Sequence, residues 1–597
     1  MRGAWLRPKE STFRTGLHVF NSLTQTKEEF FTQSGDRRLY WYMCGPTVYS
    51  DTHMGHARTY ISSDILRRIL SDYFGYQVTL CMNITNIDDK IINSALSQQI
   101  PFDTYANSWE EKFFADMEKM NVRRPDILTR VTEYIPEIIE YIKKIIDNGF
   151  AYISNESVYF DTTSYGESHK YPKLDPGSAS NLELIEEGEG NSKANCSDKK
   201  KPIDFALWKK SKENEPFWDS PFGKGRPGWH IECSVMASDV LPCPLDIHSG
   251  GIDLRFPHHD NEIAQCEAYF NCHQWVNYFL HTGHLHIGGR KMSRSLKNFI
   301  TIKEILEIYT SRQLRMLFLL QKWDGVINYS PTSLEESIAK EKQFNEFLMN
   351  SACILRNLML KADHKLTSED KALYQVLEDT EQKVYQALCD NFSTDVVIDL
   401  LSNLVNKTNI YSQSTPKCLV IERIRTYIQK MLKIFGLEYN NSTSTTDDIV
   451  PIMDLLSNYR DQVRQAASEK NIKEIFKISD ALRDEGLPKL GYILEDRGKE
   501  PSRWKKSDAE ELKIEANRKA CTQKVEVKKS VKEKVSKEKL RAEDMFRDNP
   551  KYSAWDESGL PTLYADGKPL SKTESKKLKK IWDKQKGLNE ECSKVDQ

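Results

Sequence analysis

The order of apolar positions in the N-terminal part of the chain predicts a strand, a helix and a second strand. The segment RLYWYMCGPTVY is an apolar run followed by a turn, as expected of a buried strand and its loop. Ile61, Ile65, Ile69 and Tyr73 recur at helical spacing in a segment that ends at Gly75, and YQVTLCMNIT then has the pattern of a strand. This order predicts a parallel sheet with a crossover connection, and therefore an α/β domain.

Helical periodicity dominates most of the remaining chain. Residues 111–175 are predicted to be largely helical, with EYIPEIIEYIKKIIDNG as the clearest case, and to interrupt the sheet domain, which resumes over 203–300. Residues 176–202 are polar and rich in Gly and Ser, which predicts a disordered loop. Helical spacing from 301 to 490 indicates a helix bundle, and the chain beyond Trp504 becomes rich in lysine.

Length and composition limit the interpretation further. A chain of 597 residues is too long for one core, so two to four domains are expected. The net charge of −2 means that any RNA-binding surface is a local patch. No apolar run reaches the roughly 18 residues that a membrane span needs. The 12 cysteines are scattered without CxxC pairs, as in proteins of a reducing compartment. The short basic N-terminus is expected to be an unstructured leader.

Four separated residues form a candidate metal site: Cys44, Cys233, His258 and Glu262. Two thiolates, an imidazole and a carboxylate are a suitable tetrahedral shell for Zn²⁺. The last two are spaced i, i+4 and share one face of a helix. His259 is an alternative ligand, and a purely structural zinc is an alternative role. Cys44, however, lies only nine residues before His53, in the first of two candidate nucleotide motifs.

The two motifs are HMGH at 53–56 and KMSRS at 291–295. Gly55 lets the backbone approach a nucleotide closely, and the helix that follows offers free N–H groups to phosphate. His53 and His56 can donate hydrogen bonds to phosphoryl oxygens. Lys291 and Arg294 suit a loop that closes on a triphosphate and stabilises the leaving pyrophosphate.

Six stretches in a fixed order carry a family resemblance. From about Leu17 to about Trp504 the chain closely resembles cysteinyl-tRNA synthetases, which are class I aminoacyl-tRNA synthetases. Met54 stands where the class commonly has isoleucine, and Arg294 replaces the second lysine of KMSKS, but both keep the apolar or cationic character. The six stretches are CGPTVY, HMGHART, CMNITNIDDKI, GWHIECS, DIHSGGIDLRFPHHDNEIAQ and KMSRSLKN.

The resemblance implies a division of the chain, and the lysine-rich tail is typical of eukaryotic cytosolic members. It implies a Rossmann-like class I catalytic domain, a helical tRNA-binding domain and a cytoplasmic location. The expected regions are a leader, 1–16; the catalytic domain, 17–300, with an insertion over about 111–202; a connection, 301–330; a helical anticodon-binding domain, 331–504; and a C-terminal extension, 505–597.

The resemblance also implies a reaction. ATP and L-cysteine form cysteinyl-adenylate, and the cysteinyl group is transferred to tRNA(Cys). One zinc ion per chain binds the substrate thiolate, which a serine hydroxyl does not replace, so no editing domain is needed. Mg²⁺ is expected to accompany ATP, without an assigned protein ligand.

Further contacts are carried over from the family pattern. We expect Asp496 to accept from a base edge of the anticodon and Trp504 to stack on a base. A capped helix end with a rim tryptophan is the alternative there, and core packing and a satisfied buried imidazole are the alternatives for Trp229 and His248. Those two, with Gly45 and Thr85, are the expected cysteine contacts; the expected ATP contacts are His53, Gly55, His56, Gly250, Gly251, Asp253, Lys291, Met292 and Ser293.

Two other functions stay open from the sequence. One is a ligase that joins cysteine to the amine of an amino sugar instead of to tRNA, which the long helical region disfavours. The other is a non-catalytic RNA-binding relative, which the complete motif set disfavours. The oligomeric state also stays open, with a homodimer through the C-terminal region as one arrangement.

Overall fold

The computed structural model shows two compact units, residues 1–509 and residues 510–597. The residues that it describes are 5–188, 198–287, 289–292, 299–358, 365–414, 416–439, 482–489, 491–498, 500–508 and 541–595, with isolated positions between 453 and 480 and between 510 and 518.

The catalytic region of the first unit alternates strands and helices. Its strands are β1 His18–Asn21, β2 Thr26–Glu29, β3 Arg38–Met43, β4 Gln77–Ile84, β5 Ile127–Arg130, β6 Ala151–Ser154, β7 Ser157–Phe160, β8 Phe205–Lys210, β9 Gly225–Pro227, β10 Leu245–Gly251, β11 Val276–Thr282, β12 Leu285–Ile287 and β13 Arg290–Lys291. Its helices are α1 Met54–Arg68, α2 Asp89–Gln98, α3 Phe102–Lys119, α4 Ile135–Asp147, α5 Thr162–Ser168, α6 Leu182–Gly188, α7 Trp229–Val240 and α8 Asp260–Phe270.

The centre of this region is a parallel five-stranded sheet in the order β11-β10-β3-β4-β5. Alternate side chains of β3 enter two apolar clusters, Trp41 and Met43 with Ile61 of α1, and Tyr42 with Ile231 of α7. Helices on both faces explain why the strands are continuous apolar runs in the sequence. The sequence prediction of an α/β fold with a parallel sheet is confirmed.

Two parts of the sequence interpretation differ from the structure. The insertion contains α4 and the second half of α3, but β5 joins the central sheet, and β6 and β7 form an antiparallel sheet with the later strands β8 and β9. The prediction of a largely helical 111–175 is therefore wrong for β5, β6 and β7. Strands such as SVYF are only four residues long and fully buried, which leaves no period to read. The expected loop 176–202 contains a turn, Pro176–Ser180, and α6; residues 189–197 lie outside the described ones.

The N-terminal leader is held against the catalytic region. Trp5 Nε1 donates to the carbonyl oxygen of Asn277 over 2.8 Å, and its ring meets that of Tyr278 edge-on. Arg7 pairs with Glu29 over 2.6 Å. The expectation of an unstructured leader is therefore wrong for residues 5–16.

The rest of the first unit is mainly helical and ends in a hairpin. In the hairpin, Trp504 is 7% exposed and packs against Tyr492 and Leu494. This segment was expected to be helical to about residue 490, and the hairpin follows directly. The elements are α9 Ile302–Leu306, α10 Ser311–Leu319, β14 Ile327–Tyr329, α11 Pro331–Leu358, α12 Ser368–Cys389, α13 Thr394–Tyr411, α14 Cys418–Ile434, β15 Tyr492–Arg497 and β16 Glu500–Lys506.

The second unit contains an antiparallel pair, β17 Tyr552–Trp555 and β18 Pro561–Tyr564, and the helix α15 Lys572–Val595. Trp555 Nε1 donates to the carbonyl oxygen of Phe546 over 3.0 Å. None of the helices among the described residues of the chain has the length and apolar character to cross a membrane.

Arg58, in α1, fixes the start of the nucleotide-motif helix to the chain that leads into the helical region. Its buried guanidinium donates to the carbonyl oxygens of Lys322 and Trp323, over 2.7 Å each, and to that of Gly325 over 3.3 Å. Desolvation lowers the pKa of Arg58 to about 9, so the group stays charged at neutral pH.

We expect Arg58→Met to lower the free energy of unfolding by about 3 kcal/mol, because the buried carbonyls lose charged donors. The measurement is the midpoint of urea unfolding followed by circular dichroism. Arg423→Met is the matched control, since that guanidinium is 59% exposed and lies 3.8 Å from Glu381. Equal shifts in the two variants would contradict the assignment.

Candidate active site

Four buried ligating side chains meet at the carboxyl ends of neighbouring parallel strands. Cys44 directly follows β3, and its N–H donates to the carbonyl oxygen of Ser249, in β10, over 3.1 Å. Cys233 comes from α7, while His258 and Glu262 lie in the helical turn before α8 and in its first turn. Parallel α/β sheets bind ligands in the crevice at this edge.

The distances fit a metal shell. Cys44 Sγ lies 3.9 Å from Cys233 Sγ and 3.5 Å from Glu262 Oε1, and His258 Nε2 lies 3.0 Å from the same oxygen. All four candidate atoms lie within 4.8 Å of one another. A tetrahedral zinc shell has ligand–ligand separations of roughly 3.3–3.8 Å. The residues present therefore fit Zn²⁺ with little rearrangement.

A second combination shares two of these ligands: Cys44, His248, His259 and Glu262. In it, His259 Nε2 lies 4.0 Å from Glu262 Oε1, and His259 Nδ1 is bonded to His281 Nε2 over 2.8 Å. The first combination supplies two thiols instead of one, which suits zinc better. The geometry therefore favours His258 over the alternative His259.

Electrostatics within the cluster show how strongly its groups depend on one another. Burial would raise the pKa of Glu262, but His248 and His258 lower it to about 2. Burial opposes the charge on His258, yet Glu262 and Cys233 raise its pKa to about 10. Burial raises the pKa of the Cys44 thiol well above its usual range. Burial also opposes the charge on Cys233, but hydrogen bonds with Cys44 and His258 lower its pKa to about 6.

The HMGH motif caps α1. His53 Nδ1 accepts from the N–H of Gly55 over 3.1 Å, His56 Nδ1 accepts from the N–H of His53 over 3.5 Å, and the two rings stack 3.9 Å apart. Since Nδ1 of each neutral ring is an acceptor, the proton is on Nε2. A Cβ on Gly55 would lie 2.9 Å from the His53 ring, so any larger residue here would displace that ring.

The chain after KMSRS pairs with HMGH. The N–H of Met54 donates to the carbonyl oxygen of Ile300, and that of Ile302 to Thr52, both over 3.0 Å. Lys291 ends β13, which pairs with β12, and Met292 is buried; Ser293 and Arg294 lie outside the described residues. The roles of the four KMSRS residues stay predictions.

The expected cysteine pocket surrounds the metal cluster. Trp229 is half-buried and stacks on His258 with ring centres 4.4 Å apart. Thr85 Oγ1 lies 3.3 Å from Glu232 Oε2. Gly45 donates to Asn83 Oδ1 over 2.8 Å, and a Cβ there would overlap the Asn83 backbone.

His248 differs from the other expected pocket residues. It is fully buried, and its Nε2 is bonded to Glu262 Oε2 over 2.8 Å. This contact orients the carboxylate and leaves Glu262 Oε1 for a metal ion. A direct contact between His248 and the amino acid stays a prediction.

The expected adenosine contacts lie at the end of β10. Gly250 and Gly251 are buried, and Cβ atoms there would lie 2.9 Å from the His259 ring and 2.4 Å from Asp253 Oδ1. Asp253 itself is exposed. Burial, then the charges of Cys44 and Asp253, raise the pKa of Tyr60 in α1 well above its usual range. Helix α1 therefore adjoins both the metal cluster and the expected nucleotide contacts.

The proposed anticodon residues are already engaged within the protein. Asp496 accepts from Arg460 and Arg483, the latter over 2.8 Å, and pairs with Arg464. The guanidinium of Arg356 lies 4.3 Å above the Trp504 ring. Trp504 lies in a hairpin and not at a helix end, and base readout by these two residues stays a prediction.

Sequence reasoning missed three residues of the site. Glu232 is buried beside Thr85, His230 Nδ1 lies 2.9 Å from His258 Nδ1, and His281 is bonded to His259. Position offers a signal for the first two, since GWHIECS places them next to Trp229 and Cys233. His281 is the penultimate residue of β11, the strand next to β10, and only the sheet order reveals this position.

Comparison with known proteins identifies the family. Residues 30–339 match the family model of the tRNA synthetases class I (C) catalytic domain. The chain is 47% identical to a Dictyostelium discoideum protein named "Cysteine--tRNA ligase, cytoplasmic", over 97% of this chain and 92% of that protein. It is 38% identical to the Homo sapiens protein of the same name, over 99% of this chain and 97% of that protein.

A solved structure shows the same fold at low identity. The structure of Mycobacterium tuberculosis methionyl-tRNA synthetase in complex with methionyl-adenylate gives a TM-score of 0.50 and 16% identity, and covers 67% of this chain and 90% of that one. The catalytic-domain match and the identity of 38–47% over nearly the whole chain lead to one conclusion: the chain belongs to the cysteine–tRNA ligase family of class I aminoacyl-tRNA synthetases.

Proposed function

We propose that the protein joins L-cysteine to tRNA(Cys) in the cytoplasm through a cysteinyl-adenylate. The observation that carries the proposal is the buried Cys44, Cys233, His258 and Glu262 cluster, beside a helix whose HMGH cap pairs with the chain after KMSRS. One site thus combines groups for a thiol, a nucleotide and a triphosphate. The names of the close relatives support the same substrates and the cytoplasmic location.

Adenylation in this site depends on positioning and charge. The cysteine carboxylate attacks the α-phosphorus of ATP, and pyrophosphate leaves. The Nε2–H groups of His53 and His56 donate to phosphoryl oxygens, while Lys291 and Arg294 stabilise the leaving pyrophosphate. The terminal ribose hydroxyl of tRNA then attacks the adenylate, giving Cys-tRNA and AMP.

The chemistry of the donor set supports zinc as the cofactor. Cys44, Cys233, His258 and Glu262 would hold it, and zinc supplies a bond to a substrate thiolate that a serine hydroxyl does not replace. Selection then happens at the first step, and a separate editing domain is unnecessary. Mg²⁺ is proposed to enter with ATP. A homodimer and the role of the lysine-rich extension stay predictions.

The proposed function is tested by charging of total cytosolic tRNA with cysteine, with serine as a parallel substrate and a zinc chelator as a third arm. We expect charging with cysteine alone, abolished by the chelator. Cysteine-dependent ATP–pyrophosphate exchange without charging would indicate that the acceptor is an amine and not the ribose hydroxyl of tRNA. The absence of activity in both the charging and the exchange assay would favour a non-catalytic RNA-binding protein.

The choice of histidine ligand can be read from zinc content. We expect His258→Gln to lose bound zinc and His259→Gln to retain it, because only His258 completes the shell with two thiols. The measurement is zinc per chain by mass spectrometry after dialysis. Loss in His259→Gln alone would assign the metal to the shell with His248.

Selectivity should depend on the second thiol. In Cys233→Ser, we expect the cysteine-over-serine ratio of kcat/KM in pyrophosphate exchange to fall to roughly 10–200, the range of a pocket without a metal bond. The matched control is Cys266→Ser, another buried thiol, four residues after Glu262. Rejection of serine by several further orders of magnitude in Cys233→Ser would disprove the role of zinc in selection.

A further inference from the structure

A buried ionic network lies at the end of α1 that is remote from HMGH. Asp64 Oδ2 accepts from Arg68 Nε over 2.8 Å and from Arg315 Nη1, in α10, over 2.7 Å. Asp64 Oδ1 accepts from the N–H of Arg123 over 3.0 Å. Asp64 is 4% exposed and Arg315 is 1% exposed. Charges so well buried persist only where several partners fix them.

The same network also forms hydrogen bonds with the chain directly after α14. Arg315 Nη2 donates to the carbonyl oxygens of Met120 and Asn121, over 3.0 and 2.7 Å, while Nη1 also donates to that of Phe435 over 3.3 Å. Asn121 Nδ2 donates to the carbonyl oxygen of Gly436 over 2.7 Å. Phe435 and Gly436 directly follow α14.

A second arginine of α10 repeats the arrangement. Arg312 Nη1 donates to the carbonyl oxygen of Glu438 over 3.2 Å, and its Nε donates to Glu341 in α11 over 3.2 Å. The fit is close, because a Cβ on Gly436 would lie 2.8 Å from Arg315 Nη1. Arg312 and Arg315 of α10 thus bond to the chain just after α14, and Arg315 also bonds to the catalytic region.

Helix α1 connects this network with the nucleotide motif. Its 15 residues span about 22 Å, with His53 at the amino end and Asp64 and Arg68 near the carboxyl end. The segment that carries Asp496 and Trp504 follows this attachment point in the sequence. One rigid helix therefore has the adenylation site at one end and the anchor of the helical region at the other.

We propose that Asp64, Arg315 and Asn121 are positioning residues for transfer to tRNA: they hold the helical region so that a bound tRNA presents its terminal ribose to the adenylate. The inference rests on the proposed function, since it takes tRNA as the acceptor. Adenylation needs no such alignment, because both of its substrates bind within the catalytic region. A displacement of about 1 Å in a reacting group can cost a hundredfold in rate.

Asn121→Gly is the most specific test of this role. Asn121 has φ 56°, a left-handed conformation that glycine adopts readily, so the substitution removes the contact with Gly436 without backbone strain. Arg315→Lys is the stronger second variant, because lysine keeps the charge beside Asp64 but loses the fork of donors. Asn214→Gly is the control, with φ 67° at an exposed turn.

Three quantities are compared for each variant: cysteine-dependent pyrophosphate exchange, kcat/KM for tRNA(Cys), and kcat/KM for the same tRNA with substituted anticodon bases. We expect Asn121→Gly to keep exchange within about twofold while kcat/KM for tRNA(Cys) falls about five- to tenfold, the effect of one hydrogen bond. The preference for the native anticodon should shrink in the same variant. A purely structural role would leave that preference unchanged.

The possible results distinguish a failure of the positioning role from a failure of the proposed function. Wild-type protein that supports exchange but charges no tRNA removes the proposed acceptor, before any variant is measured. Wild-type charging with an unchanged Asn121→Gly, or with equal losses in exchange and charging, overturns the positioning role alone. A loss in Asn214→Gly as large as in Asn121→Gly would also overturn it.

Discussion

The buried carboxylate of Glu262 is the constraint on which the site depends. It is fully excluded from solvent, and an isolated carboxylate there would be prohibitively costly. His248 Nε2 and His258 Nε2 lie 2.8 and 3.0 Å from its two oxygens, so the carboxylate needs an imidazole partner on each side. Because Glu262 bonds to both imidazoles, β10, which carries His248, is fixed to the start of α8.

The pairing of β3 with β10 brings the remaining chemistry to that carboxylate. Because Ser249 aligns with Met43, the next residue, Cys44, is placed at the sheet edge opposite α8. The two thiols then lie in the same water-free volume. A divalent cation that binds there would displace the protons that the cluster must retain without a metal. The proposed selectivity for sulfur therefore depends on the register of these strands as well as on the ligands.

Sequence reasoning succeeded where spacing is local and failed where contacts are distant. The i, i+4 spacing identified His258 and Glu262 as one face, and apolar runs identified β3 and β4, since both signals fall within one element. Asp64 and Arg315 are 251 residues apart, and no local pattern links an acidic helix position to that arginine. The hairpin β15–β16 was missed because YILEDRGKEPSRW mixes apolar, charged and turn residues without a clear period.

Two different sets of side chains therefore fix the two ends of α1. At its amino end, Nδ1 of His53 accepts from the N–H of Gly55 and Nδ1 of His56 accepts from the N–H of His53, which caps the helix. At its carboxyl end, the helix is fixed by an aspartate that is shared between two arginines. An α-helix of 15 residues that is fixed at both ends sets a distance of about 22 Å between them. Rigidity of this kind suits a reaction in which the second substrate must reach an intermediate that is already formed, because the fixed separation removes the entropy of finding the productive alignment.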